Sequence, residues 1–218
     1  MVNRTIIMLF NWITVYAGYY GLTLNAGKIE GNVYINFTIS ATMEVFAYSL
    51  CLVFLDKIGR RILHSSCMII GGVACLSSIF PVVFGNEAHS WITTSLSMIG
   101  KLGVSAAMAD IYVLSAELFP TSIRSFVLGL SCIVGQVGSV ASPYIADLGM
   151  LIPSQFGKAL PLLVFGCMMM SSGIMALFLP ETMNMKLPEM FEDAVALKRN
   201  RRKTKENSEM GIAEHLSN

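Results

Sequence analysis

Charge is the scarcest ingredient of this sequence. Of 218 residues only 13% are Asp, Glu, Lys or Arg, against 54% hydrophobic, and the mean hydropathy is +0.63. A soluble domain carries about twice that share of charge, which argues against a soluble fold. Histidine is sparse too, with three residues: His64 and His89 near different ends of apolar runs, and His215 near the C-terminus. No nucleophile, phosphate-binding loop or metal-ligand spacing accompanies them, which argues against an enzyme, a metal site or a bound cofactor. Five cysteines are present, but Cys51, Cys67, Cys75, Cys132 and Cys167 all fall in apolar runs and form no CxxC. They read as small packing residues.

Long apolar runs are what the chain has instead. A hydrocarbon core about 30 Å thick takes roughly 20 mostly apolar residues per helix. Six runs of that order occupy residues 5–24, 33–55, 62–84, 91–116, 125–148 and 159–179. Unbroken runs of this length indicate helices, because a barrel alternates apolar and polar residues over segments of about ten. The expectation is an all-α membrane protein with six transmembrane helices in residues 1–182 and a polar tail in residues 183–218. The first run has some features of a signal peptide, since Arg4 precedes it and Asn25-Ala26-Gly27 offers small residues for cleavage. Its length, Asn11 and its aromatics favour a retained span.

The remaining charges are unevenly placed. Between the second and third runs sits Asp56-Lys57-Ile58-Gly59-Arg60-Arg61. If that loop is cytoplasmic, successive crossings put both termini and the 117–124 loop on the same side. That side then holds Arg4, Lys57, Arg60, Arg61, Arg124, Lys186, Lys198, Arg199, Arg201, Arg202, Lys203 and Lys205, twelve cations against Lys28 and Lys158 outside. The bias orients the chain with both termini cytoplasmic. In the tail, residues 190–197 fit a short amphipathic helix, and 198–205 pack six cations into eight residues. That strip reads as a solvated disordered segment or as one attracted to an anionic leaflet.

Polar residues inside the runs mark candidate sites. Trp12, Tyr16 and Tyr19 follow at i, i+4 and i+7 on one helical stripe, with Tyr20 and Asn11 beside them. They read as an interfacial aromatic belt or as a pocket wall for a small organic solute; their position through the middle of the run favours the wall. Ser40, Glu44 and Tyr48 share a face of the second run. Inserting a carboxylate there costs at least ~2 kcal/mol, so Glu44 should face protein or water, as a site residue or as a tie between helices. Lys101 and Asp110 in the fourth run stand nine positions apart, on opposite sides of a helix, and cannot pair with each other. The fifth run combines Gly129, Gly135, Gly138 and Pro143 with Gln136 and Ser139, which suits a helix that bends or packs closely while showing a polar stripe. The third has only His64 at its edge and a Gly71-Gly72 pair for close contact, and the sixth has no charge. Runs one, two, four and five should then line a cavity while three and six face lipid, an order that repeats as two triplets, the shape of a 3+3 inverted repeat. The sequons at Asn3 and Asn36 fall on the wrong side or within the membrane and read as chance matches.

The hexapeptide resembles the D-[RK]-x-G-R-[RK] signature of the major facilitator superfamily, found between the second and third helices of each half; Leu52 stands where that pattern usually has Gly. Ala116-Glu117-Leu118-Phe119-Pro120-Thr121 with Arg124 resembles the A-E-L-[YF]-P-T-x-x-R signature of the organic cation, anion and carnitine transporter family. Leu179-Pro180-Glu181-Thr182 and Leu187-Pro188-Glu189 are similar to that family's ending, with Met183-Asn184 where many superfamily members have Lys-Gly. The resemblance covers essentially the whole chain. It implies half of a twelve-helix major facilitator fold, namely its C-terminal six helices, as a fragment or a truncated product. It further implies transport of small organic ions by alternating access. Glu44 matches the acidic position of the family's eighth helix, although Phe46 replaces the usual Pro, and Lys101 matches a basic position in the tenth. Gln136 falls where cation carriers tend to have Asp and anion carriers Arg.

The expected solute site is Trp12, Tyr16, Tyr19, Glu44, Tyr48, Lys101, Asp110 and Gln136, with a cation or zwitterion favoured over an anion because Glu44 and Asp110 outnumber Lys101. Asp56, Arg60, Arg61, Glu117 and Arg124 form an expected charge cluster that gates the cytoplasmic helix ends or anchors topology. Expected partners are a small organic solute, membrane lipid of the plasma membrane, and a missing N-terminal six-helix half or a full-length carrier, with no nucleic acid. The alternative is a truncated, non-transporting protein that binds or regulates a full-length carrier. A channel would repeat like groups by oligomeric symmetry, whereas these runs carry unlike ones.

Overall fold

The computed structural model describes residues 2–27, 33–84, 90–121, 123–151 and 155–181. The tail at 183–218 and the loop residue Lys28 lie outside the described residues. The elements are α1 Val2–Ala26, α2 Val33–Ile58, α3 Arg60–Ser77, α4 Ile79–Phe84, α5 Ser90–Leu118, α6 Arg124–Asp147, a 3-10 turn Leu148–Leu151 and α7 Gln155–Ala176. Among the described residues every regular element is helical.

Among the described residues, five stretches are long and apolar enough to cross a membrane by length and composition: Val33–Leu55, Arg60–Val82, Trp91–Leu118, Arg124–Asp147 and Ala159–Ala176. The expected first span lies in α1, which has comparable length at 25 residues but is not among them, because Asn11, Trp12 and its tyrosines lower its hydropathy. It packs on α5, α6 and α7, and its Met8, Trp12 and Val15 join Val104, Ile111 and Leu114 of α5 and Phe165 and Met169 of α7 in one buried core. Against α6 the approach is backbone to backbone: a Cβ on Gly138 would run into the Ile13 carbonyl oxygen. A small residue there lets two helices touch where no hydrophobic drive between them exists in lipid.

The expected third span is interrupted. After α3 the Ser78 hydroxyl donates to the Cys75 carbonyl oxygen at 2.6 Å, closing a turn, and α4 restarts with Pro81 at its third position. Proline is tolerated in a first turn because its missing N–H would be unpaired there anyway.

The expectation that the third and sixth spans simply face lipid needs correction. α3 and α7 pack on each other, with Ser65 Oγ donating to the Gly173 carbonyl oxygen at 2.6 Å and Gly72 lying against the backbone of Gly166 and Met170. Gly71 likewise seats α3 on Gly100 and Gly103 of α5. Half of the α7 span is buried, against 17% for α2 and 22% for α6. Lack of charge did not mark lipid exposure, because a helix–helix seam in a membrane is apolar too.

Candidate functional site

The site is built on α1, α2 and α5. Glu44 emerges from α2 and its Oε1 accepts hydrogen bonds from Tyr19 OH and from Tyr48 OH at 2.7 Å. Tyr48 lies one turn further along α2, which is why the i, i+4 spacing brings the phenol onto the carboxylate. Lys101 of α5 places Nζ 3.8 Å from Glu44 Oε2 and 3.6 Å from the Tyr19 ring centroid. The ammonium also donates to Thr23 Oγ1 at 2.6 Å and to the Tyr19 carbonyl oxygen at 3.4 Å. A carboxyl withdrawn in part from water needs polar partners, and here two phenols and the Lys101 side chain supply them. Accessibility within the pair is unequal: Glu44 keeps 21% of its side-chain surface and Lys101 only 3%.

Below this cluster the aromatic stripe of α1 turns inward. Tyr16 OH and Tyr112 OH share a hydrogen bond of 2.7 Å. Trp12 is fully enclosed, donates from Nε1 to Ser115 Oγ at 2.9 Å and stands edge-on to Tyr112 with centroids 4.7 Å apart. It therefore backs Tyr16 and Tyr112 and offers no open face of its own. Gln136 is on the exposed face of α6, where its Oε1 accepts from Ser139 Oγ at 2.7 Å.

Asp110 does not join the Glu44 cluster. It lies a further nine residues along α5, about 13.5 Å at the helical rise, and is sealed inside the bundle at 1% exposure. Its Oδ2 is 3.6 Å from His64 Nδ1 of α3. On the other side of the ring His64 Nε2 lies 3.1 Å from Asn11 Oδ1, which also accepts from Ser172 Oγ of α7 at 2.7 Å. The result is a polar core shared by α1, α3, α5 and α7. From sequence alone His64 stands at a membrane edge and Asn11 beside the aromatic stripe; a mid-helix Asn is the available signal.

At the end of the bundle that carries the hexapeptide, charges pair across elements. Arg60 Nε is 3.2 Å from Glu117 Oε1. Arg61 Nε is 3.8 Å from Glu181 Oε2, and its Nη1 donates to the carbonyl oxygens of Leu177 at 3.3 Å and Leu179 at 3.2 Å. Gly59 is required twice over. Its φ is +96°, a conformation that disfavours side chains, and a Cβ there would come within 3.0 Å of the Glu181 carboxyl. Arg124 is half-buried at the start of α6, and its enclosed Nε and Nη2 make no hydrogen bond among the described residues. The Asp56 side chain lies outside the described residues. Glu181, part of the terminal motif in the sequence, belongs to this charge cluster.

The sequence matches the Major Facilitator Superfamily over residues 1–210. The chain belongs to that superfamily. Superfamily members are non-enzymatic transporters, and the five apolar spans agree with an integral, multi-pass membrane protein. Among curated relatives, the organic cation transporter protein of Drosophila melanogaster is 35% identical over 191 residues, covering 88% of this chain and 33% of the relative. A solute carrier family 22 member 15-like protein of Xenopus laevis is 37% identical over 193 residues, 87% of this chain and 38% of the relative. Organic cation/carnitine transporter 2 of Mus musculus is 32% identical over 194 residues, 89% of this chain and 33% of the relative. The chain thus spans between 33% and 38% of these relatives' lengths.

Proposed function

We propose that the chain is the C-terminal six-helix half of a secondary carrier for small organic ions, working by alternating access. The observation that carries this reading is the Glu44 cluster: a carboxylate, an ammonium and two phenols from three helices meet inside an otherwise apolar protein. Ionisable groups placed at such expense mark solute or ion pathways. Glu44 is the reachable member and Lys101 the enclosed one, so an approaching solute meets the carboxylate first. Cations, and zwitterions that use both charges, are therefore favoured over anions. Tyr16, Tyr19, Tyr48 and Gln136 shape the same cavity, Trp12 supports it from behind, and Asp110 acts at a distance.

The packing supports a 3+3 inverted repeat of spans in residues 1–182. Exchanging α1 with α5, α2 with α6, and α3 and α4 with α7 carries the α1–α6 seam onto α5–α2 and the α3–α5 seam onto α7–α1, and all four seams exist. The N-terminal half would cover the apolar outer faces of α2 and α6, where Phe46, Leu52, Ile133 and Val137 are exposed. With the positive-inside orientation, Arg60–Glu117 and Arg61–Glu181, together with Asp56 and Arg124, form a cytoplasmic latch that is closed in one state and broken in the other, and the tail follows it into the cytoplasm beneath the plasma membrane.

The test uses cells expressing the carrier of which this chain is part. Uptake of a radiolabelled quaternary ammonium is competed with a zwitterionic betaine and with an organic carboxylate. Competition by the betaine and not by the carboxylate is expected; the reverse order would overturn the solute assignment.

A further inference from the structure

The sealed core around Asp110 has a geometry that demands a proton. Asn11 Nδ2 donates to the Ile7 carbonyl oxygen at 2.8 Å, which fixes the amide so that Oδ1 faces His64 as an acceptor. His64 Nε2, at 3.1 Å from that oxygen, must therefore carry hydrogen. In the neutral ring Nδ1 is then a lone pair, and it faces Asp110 Oδ2 at 3.6 Å, with the Ala107 backbone also against the ring. Two acceptors do not stay opposed in a site where Asp110 is 1% exposed and His64 is fully buried. Among the described residues neither Asp110 oxygen has a hydrogen-bond donor.

We propose that His64 Nδ1 and Asp110 Oδ2 form a proton-binding site, holding one proton between them, and that this proton is the ion coupled to solute movement. Its role as a coupling ion rests on the transport reading, but the existence of the site does not. With the proton on Asp110 Oδ2, facing the Nδ1 lone pair, the pair is neutral overall. Without it a net negative charge is buried with no donor, a state that unaided burial penalises severely. The closed packing of α1, α3, α5 and α7 is therefore favoured when the proton is bound, and losing the proton favours their separation. No bond other than N–H or O–H changes, and the proton is exchanged with bulk water when the seam opens.

The surroundings point to one exit. Arg60, Glu117 and Glu181 are the charged groups whose fields reach Asp110, and Arg60 is paired with Glu117 at 3.2 Å. Glu117 lies on α5, seven residues beyond Asp110, on the same helical stripe. α2 and α3 contribute the thiols Cys51 and Cys67, which feel Asp110, and α1 and α7 present Asn11 and Ser172, which do not titrate. The route for the proton runs toward the end that carries the Arg60–Glu117 pair.

The test is infrared difference spectroscopy on the full chain in lipid nanodiscs, titrated from about pH 5 to about pH 8. A carbonyl band of one protonated carboxyl, slow to exchange in heavy water, should fade as pH rises and be lost in Asp110→Asn. If that variant fails to fold, His64→Gln serves instead: it retains an Nε2-type amide donor for Asn11, and the band's midpoint should shift by about one pH unit or more, about a tenfold change in proton affinity. A band that stays constant across the range, or is unmoved by both variants, would overturn the proposal and leave a purely structural polar cluster. Loss of solute uptake with the proton band intact would count against the carrier reading and not against the proton site.

Discussion

Glu44 keeps 21% of its side-chain surface and is met by two phenols and an ammonium, whereas Asp110 keeps 1% and faces one imidazole without a hydrogen bond. Both carboxylates bind α5 to a neighbouring helix, and α1 serves both. Glu44 is satisfied by its partners and reachable, which is what the proposed exchangeable solute requires. Asp110 is enclosed and short of donors, which no organic solute could use but which a proton satisfies. On the proposed reading the same bundle holds a site for matter and a site for charge, about two and a half turns of α5 apart.

Removing a partner should separate the two most clearly. His64→Ala leaves Asp110 alone in the core and should lower folding stability by about 3–5 kcal/mol, read as a fall in thermal midpoint in detergent, with Asp110→Asn recovering part of the loss. Glu44→Gln should change stability by less than about 1 kcal/mol, because a partly exposed ion pair contributes little. Equal losses in the two variants would erase the distinction. Next in size, Gly59→Ala forces a side chain into a left-handed backbone beside Glu181 and should cost about 1–3 kcal/mol, while leaving the selectivity of the Glu44 site unchanged in competition assays. Lys101→Met removes the cation that would hold a solute carboxylate. The preference for a betaine over a simple quaternary ammonium should then fall about tenfold, about 1.4 kcal/mol in inhibition constants. Smallest, Tyr16→Phe deletes the 2.7 Å bond to Tyr112 between the two clusters. It should lower stability by about 1 kcal/mol, measured by the same melts.

The reachable cluster was legible in the sequence because a charge in an apolar run is conspicuous and helical spacing sets its neighbours: Glu44 with Tyr48, Lys101 away from Asp110. The enclosed cluster was not. Asn11, His64, Asp110 and Ser172 come from four helices, and no local pattern announces a meeting between residues 161 positions apart. Helical periodicity defines a face but not what that face touches, which is why Trp12, expected in the wall, is enclosed behind it, and why the uncharged sixth apolar run is half buried. The interruption after Ser77 was signalled by Ser78 and Pro81 but hidden within a continuous apolar run.

The central claim is that the accessible carboxylate anchors the solute. It is tested most directly by the KM for quaternary ammonium uptake in Glu44→Gln, at matched surface expression. A rise of about tenfold or more, the loss of about 1.4 kcal/mol of charge-assisted binding, is the predicted result. A KM within about twofold of wild type would show that the solute's charge is held elsewhere.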